Sequence, residues 1–144
     1  MKEFGKNFFI IDSNFLFALK NKHDKYHEKA INILNDIFNP KNVFFTNYLV
    51  INEIINLTIA RTRGNQESLK VLQECIWGDE NFFHIIQLEP LEYNHIYEIL
   101  LKYCSSKILL SFVDASLIYL FKKYKMDFLL SFDSHFDNIV KRVY

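Results

Sequence analysis

Phe8-Phe9-Ile10-Ile11 form an unbroken apolar run that stops at Asp12. Such a run, without polar alternation, predicts a strand covered on both faces, as in the centre of a parallel sheet. Residues 25–38 then follow a helical period with Ala30, Ile31, Leu34, Ile37 and Phe38 as the inner stripe; Asp24 is placed to cap this helix and Asn39-Pro40 to end it. Val43-Phe44-Phe45 predicts a second strand. Thr46 or Asn47 caps a helix that runs to Gly64, and Asn65 opens another with Leu69, Leu72 and Ile76 at core spacing. A third strand is expected within 82–88, a helix after Pro90 reaching about Tyr103, and an amphipathic helix over 111–124. Phe128-Leu129-Leu130 reads as a fourth strand ending near Asp133, and 140–144 as a short fifth.

Strands separated by helical crossovers imply a parallel sheet with helices on both faces. Ligands of such sheets bind beyond the carboxyl ends of the strands, where Asp12 and Asp133 are expected. The length of 144 residues fits one domain, 1–144, and only three Gly and two Pro disfavour turn-rich β architectures. No segment is apolar enough to span a membrane or to serve as a cleaved leader, so a cytoplasmic protein is expected. Cys75 and Cys104 belong to no CxxC motif or Cys/His cluster and are expected to be buried free thiols.

Two further acids lie on helical stripes that otherwise read as core. Glu53 has Leu49 and Leu57 four residues to either side, and Asp114 is flanked by Leu110, Leu117, Ile118 and Phe121. An isolated buried carboxylate must be relieved by a proton, a cation or a metal. Each acid also has an innocent reading: Asp12 and Asp133 as helix caps, Glu53 at the edge of its stripe, Asp114 as a cap of its own helix. Four such placements together favour convergence. Two like charges about 4 Å apart repel by roughly 4 kcal/mol at an effective dielectric near 20. Oxygen ligands without His or Cys among them suit Mg²⁺ or Mn²⁺, whose chemistry includes phosphodiester hydrolysis.

Formal net charge is zero, from 17 basic and 17 acidic residues, and setting aside four acids for metal leaves +4. That balance excludes a protein that coats nucleic acid unselectively, but not a nuclease.

The segments Phe9-Ile10-Ile11-Asp12-Ser13-Asn14-Phe15-Leu16, Thr46-Asn47-Tyr48-Leu49-Val50-Ile51-Asn52-Glu53, Ser111-Phe112-Val113-Asp114-Ala115 and Leu129-Leu130-Ser131-Phe132-Asp133-Ser134-His135-Phe136 resemble, in order and spacing, the PIN-domain ribonucleases, especially the VapC-like toxins. The resemblance spans nearly the whole chain. It implies a three-layer α/β/α fold with parallel strand order 3-2-1-4-5. It also implies a Mg²⁺- or Mn²⁺-dependent endoribonuclease that hydrolyses RNA with Asp12, Glu53, Asp114 and Asp133 as catalytic and metal-binding acids. Ser13 and Ser131 fall where the family carries small supporting hydroxyls, and Asp137 is a candidate supplement. His135 reads as an incidental surface residue beside this motif, and His23 and His27 as packing or solvent residues. Arg61, Arg63, Lys122, Lys123 and Lys125 are the candidate RNA contacts.

The resemblance further implies an antitoxin partner and a homodimer. Fifteen Phe, eight Tyr and one Trp are more than one small core readily hides, which also points to association, with the stripes of 25–38 and 66–76 as the suspected surfaces. The readings left beside the nuclease are a non-catalytic PIN-like module that binds RNA or protein and a phosphatase of the haloacid-dehalogenase kind. The latter wants a second Asp where Asn14 stands. A dinucleotide fold lacks its GxGxxG.

Overall fold

The structure is a computed structural model that describes residues 5–144. Five parallel strands, β1 (Phe8–Ile11), β2 (Val43–Asn47), β3 (His84–Ile86), β4 (Phe128–Leu130) and β5 (Arg142–Val143), are arranged in the order 3-2-1-4-5. This is the order that the motif resemblance implies. Strand β1 lies at the centre, between β2 and β4. Its run of apolar residues serves two cores: Phe9 and Ile11 enter one face of the sheet and Ile10 the other.

Among the described residues, six helices cover the sheet: α1 (Ser13–Lys20), α2 (His27–Ile37), α3 (Tyr48–Thr62), α4 (Gln66–Trp77), α5 (Glu92–Tyr103) and α6 (Phe112–Lys123). The first core takes Phe15, Leu16 and Ala18 from α1, Ala30 from α2, Ile51 and Ile54 from α3, and Leu72 and Ile76 from α4. The second takes Leu117, Ile118 and Leu120 from α6 with Ile99 and Leu100 from α5. Among the described residues, no helix is long and apolar enough to cross a membrane.

Helix α1 is not announced by a 3.6-residue stripe, because it is buried nearly all round, from Ser13 through Leu19 with Asn14 alone half-exposed. Three other expectations change. Helix α2 starts at His27, since Asp24 accepts a 2.8 Å bond from the Tyr26 amide within the preceding turn instead of capping the helix. Its inner stripe is Ala30, Ile33, Leu34 and Ile37, which leaves Ile31 and Phe38 exposed. Cys75 is buried as expected, but Cys104 is exposed, because it is the residue that ends α5 at the rim of the second core.

Local rules settle the element ends nearest the strand edge. Asn47 leaves β2 and caps α3 by accepting bonds from the Leu49 and Val50 amides at 2.9 and 3.2 Å. At the far end of α3, Arg63 and then Gly64 turn left-handed, with φ of 53° and 70°. Ser111 and Asp114 form a reciprocal capping box at the start of α6.

Candidate active site

Because the strands are parallel, their carboxyl ends share one edge, and the chain delivers its acids there by three routes. Asp12 is the first residue after β1 and caps α1, accepting a 2.7 Å bond from the Ser13 amide. Asp133 follows β4 by three residues and caps a 3₁₀ turn, Ser134–Phe136, accepting from the His135 amide at 2.9 Å. Glu53 comes from the second turn of α3 and Asp114 from the first turn of α6, the helices that leave this same edge.

Hydroxyls and charge connect the four. The Ser13 hydroxyl donates to Glu53 Oε2 and lies 3.4 Å from Asp12 Oδ1, so it bridges the first two acids. The Ser131 hydroxyl donates to Asp12 Oδ2 at 2.7 Å and accepts from the Asp133 amide at 3.0 Å. Asp12 is 3% exposed. Burial, reinforced by the neighbouring charges of Asp114 and Glu53, outweighs the Ser131 hydrogen bond and pushes its carboxyl up to about 7. Burial likewise raises the Asp114 carboxyl, with Asp133 adding to the rise and the Ser111 hydrogen bonds and His135 opposing it. Among the described residues, no Lys or Arg forms an ion pair with any of the four acids.

The innocent readings of the acids thus hold locally without removing the cluster. Asp12 and Asp133 do cap helical turns, and Asp114 does complete a capping box by accepting from the Ser111 amide at 2.9 Å. The caps leave the acids close enough that Asp114 and Glu53 act on Asp12, and Asp133 on Asp114, through their charge. Glu53 lies on the flank of a stripe whose buried members are Val50, Ile51, Ile54 and Thr58, half-buried beside Ser13.

Several residues escaped sequence reasoning. Asn14 accepts from the Phe132 amide at 3.0 Å and donates to the Ser131 hydroxyl at 3.3 Å, so it ties α1 to the loop that carries Asp133. Asn47, fully buried, donates to the Ser116 hydroxyl at 3.1 Å and so locks α3 to α6 behind the acids. Side-chain amides have no sequence signature of their own, since their partners lie 117 and 69 positions away. His135 has its Nδ1 3.2 Å from Asp133 Oδ1, and one ligand atom from each of Asp114, Asp133 and His135 falls within a span of 4.8 Å. The reading of His135 as incidental is therefore corrected: the 3₁₀ turn places it at the cluster.

Asp137 is engaged elsewhere. Both of its oxygens accept from Arg142, at 2.8 and 3.0 Å, and the same guanidinium donates to the Ser131 carbonyl at 3.1 Å. The basic residues also divide. Lys123 is paired with Glu92 and Lys122 donates to the Tyr103 hydroxyl, both near the end of α6, roughly 12 Å along the helix from Asp114. Arg63 occupies the left-handed end of α3. Arg61 has its guanidinium 5.8 Å from the Phe17 ring and shares a groove with Asp133. It lines two adjoining grooves. One, of about 360 Å³, includes Asn14, Tyr26, Phe132 and Asp133; the other, of about 630 Å³, runs between α1 and the α3–α4 pair past His23, His27, Thr58 and Leu72. His27 bonds the Ala18 carbonyl at 2.7 Å, a packing role.

No protein-family model matches the sequence. No curated protein matches it either. The fold, by contrast, is shared with solved structures. The chain is similar to VapC20 of Mycobacterium tuberculosis, described as a sarcin-ricin loop cleaving toxin, at TM-score 0.70 and 21% identity over 88% of this chain and 90% of that one. It is similar to VapBC2 of Rickettsia felis, solved with a fragment of promoter DNA, at TM-score 0.63 and 11% identity over 94% of this chain and 97% of that one. A toxin–antitoxin complex from Klebsiella pneumoniae matches at TM-score 0.61 and 17% identity over 94% of this chain and 95% of that one. The chain thus has the three-layer PIN-like fold of VapC structures, as the four motifs led one to expect.

Proposed function

We propose that this chain is a divalent-metal-dependent endoribonuclease acting as the toxin of a toxin–antitoxin pair. One observation carries the reading: four carboxylates gather at the strand ends of a VapC-like fold with no Lys or Arg ion-paired to them among the described residues. The donor set fits Mg²⁺ or Mn²⁺. A carboxyl held at about 7 by burial and like charge stands ready to exchange its proton for a cation near neutral pH.

Asp12, Glu53, Asp114 and Asp133 would hold the ion, which when bound supplies Lewis-acid activation of water and charge relief at the leaving oxygen. The chain's own part is positional. Ser13 fixes Glu53 relative to Asp12, Ser131 fixes Asp12 relative to the β4 loop, and Asn14 holds that loop against α1. Arg61 offers a cation to a phosphate entering the groove that leads to Asp133. Structured RNA is the substrate class this reading favours, in line with the description of the similar VapC20. An antitoxin partner is proposed on the same footing, since similar structures are complexes of toxin with antitoxin.

The test is cleavage of structured RNA by the purified chain in Mg²⁺ or Mn²⁺, repeated with EDTA and with Asp114→Asn. Cleavage that needs the ion and the carboxylate supports the nuclease. RNA binding without cleavage in either metal would leave the non-catalytic module as the better description.

A further inference from the structure

We infer that His135 supplies an imidazole nitrogen to the cation held by Asp114 and Asp133, giving this site a preference for Mn²⁺ over Mg²⁺. The inference rests on the metal-dependent reading above and specifies the chemistry of the same site.

Geometry comes first. One ligand atom from each of Asp114, Asp133 and His135 lies within 4.8 Å of the other two, and Nδ1 of His135 is 3.2 Å from Asp133 Oδ1. Ligands facing each other across a first-row ion stand roughly 4 Å apart, so the three groups are already near coordinating separation. The placement is built in. Phe136, fully buried, anchors the 3₁₀ turn, and Asp133 fixes the backbone of His135 by accepting from its amide.

Apart from its 3.2 Å approach to Asp133, His135 has no other hydrogen-bond or stacking partner for its ring among the described residues. Its side chain is 42% exposed, it joins no aromatic pair among the described residues, and its ring bonds no backbone carbonyl. The other histidines are placed differently. His27 bonds the Ala18 carbonyl, His84 packs on Phe45, His95 stacks on Tyr119, and His23 lines the groove beyond α1.

Chemistry then sets the preference. Mg²⁺ is a hard ion that favours oxygen donors and retains its waters, so an imidazole gains it little. Mn²⁺ is the weakest imidazole binder of the first-row divalent ions but accepts a nitrogen donor more readily than Mg²⁺, so a nitrogen added to two carboxylates shifts the balance from Mg²⁺ toward Mn²⁺.

The experiment uses the intact chain with Mn²⁺ as the probe. Pulsed EPR of bound Mn²⁺ reads directly coordinated nitrogen, and titrations with Mn²⁺ and Mg²⁺ give the two affinities. The expected result is a ¹⁴N modulation in the wild type that disappears in His135→Gln. Mn²⁺ affinity then falls about tenfold, while Mg²⁺ affinity stays within about twofold. Bound Mn²⁺ without nitrogen modulation, or modulation that persists in His135→Gln, overturns the assignment and leaves the carboxylate site standing. Failure of the wild type to bind Mn²⁺ at millimolar concentration overturns the metal-dependent reading itself.

Discussion

The hydroxyl of Ser131 donates a 2.7 Å hydrogen bond to Oδ2 of Asp12, joining the ends of the two central strands across 119 positions of sequence. Both groups are buried, and the bond is one of the few influences that lower the Asp12 carboxyl against the effect of burial. Ser131→Ala should therefore push that carboxyl above its present value of about 7 and weaken Mn²⁺ binding at neutral pH. The lost bond to a buried acceptor should also cost about 1–3 kcal/mol of stability. Denaturant unfolding and Mn²⁺ titration check the two effects separately; unchanged metal affinity would show that Ser131 does not tune Asp12.

A raised carboxyl has a definite sign in the pH dependence of the metal-free protein. Asp12 holds its proton up to about 7 in the folded chain but releases it near 3.8 when unfolded. Between those values the folded state binds the extra proton, so stability falls as pH rises through the window. The span corresponds to about 4 kcal/mol at most. Urea unfolding in EDTA should show this decline between pH 4 and 7, and Asp12→Asn should flatten it. A wild-type profile that rises across the window would mean that Asp12 is ionised in the fold.

The strands and the four acids were legible because both rest on patterns local in sequence, whereas the order of the strands followed only from the resemblance of the four motifs to a known family. Continuous apolar runs mark buried strands, and an acid at a strand end or on an apolar stripe is visible one motif at a time. What joined the motifs was not visible. The bonds from Asn14 to Phe132 and from Asn47 to Ser116 depend on tertiary contact alone. Asp137 read as a candidate supplement to Asp133, yet the return of β5 beside β4 brings Arg142 onto it. His135 was underestimated because a histidine between a polar and an aromatic residue carries no periodic signal, whereas a 3₁₀ turn capped by Asp133 fixes its direction. Helix α1 was missed because complete burial erases amphipathic contrast.

Asp114 serves two ends with one carboxylate, since it accepts from the Ser111 amide while lying beside Asp133 and His135. An amide oxygen can keep the first duty but not the charge needed for the second. Asp114→Asn should lower RNA cleavage on the order of 100-fold or more while leaving the fold at least as stable in EDTA, because a raised, buried carboxyl is removed. Thermal unfolding and cleavage assays on the same preparation check the pair of outcomes. Loss of activity together with a large loss of stability would place Asp114 in the capping box rather than in catalysis.

The homodimer expected from the aromatic content has a second candidate face beside the one first suspected. The inner positions of α2 and α4 are taken up by the first core, through Ala30, Leu34, Leu72, Cys75 and Ile76, while Ile31, Phe38, Val71 and Trp77 stay exposed on the face first suspected. Helix α5 also presents Tyr93, Tyr97 and Leu101 at 40%, 55% and 73% exposure, spaced four residues apart on one side. Apolar side chains aligned in this way are surplus to the second core and suit a helix face that meets its own copy. Light scattering at micromolar concentration should report a dimer for the wild type and a monomer for Tyr97→Glu with Leu101→Glu, with Mn²⁺ binding unchanged because α5 carries none of the acids. A wild-type monomer would remove the dimer, and a double variant that remains dimeric would move the interface off α5.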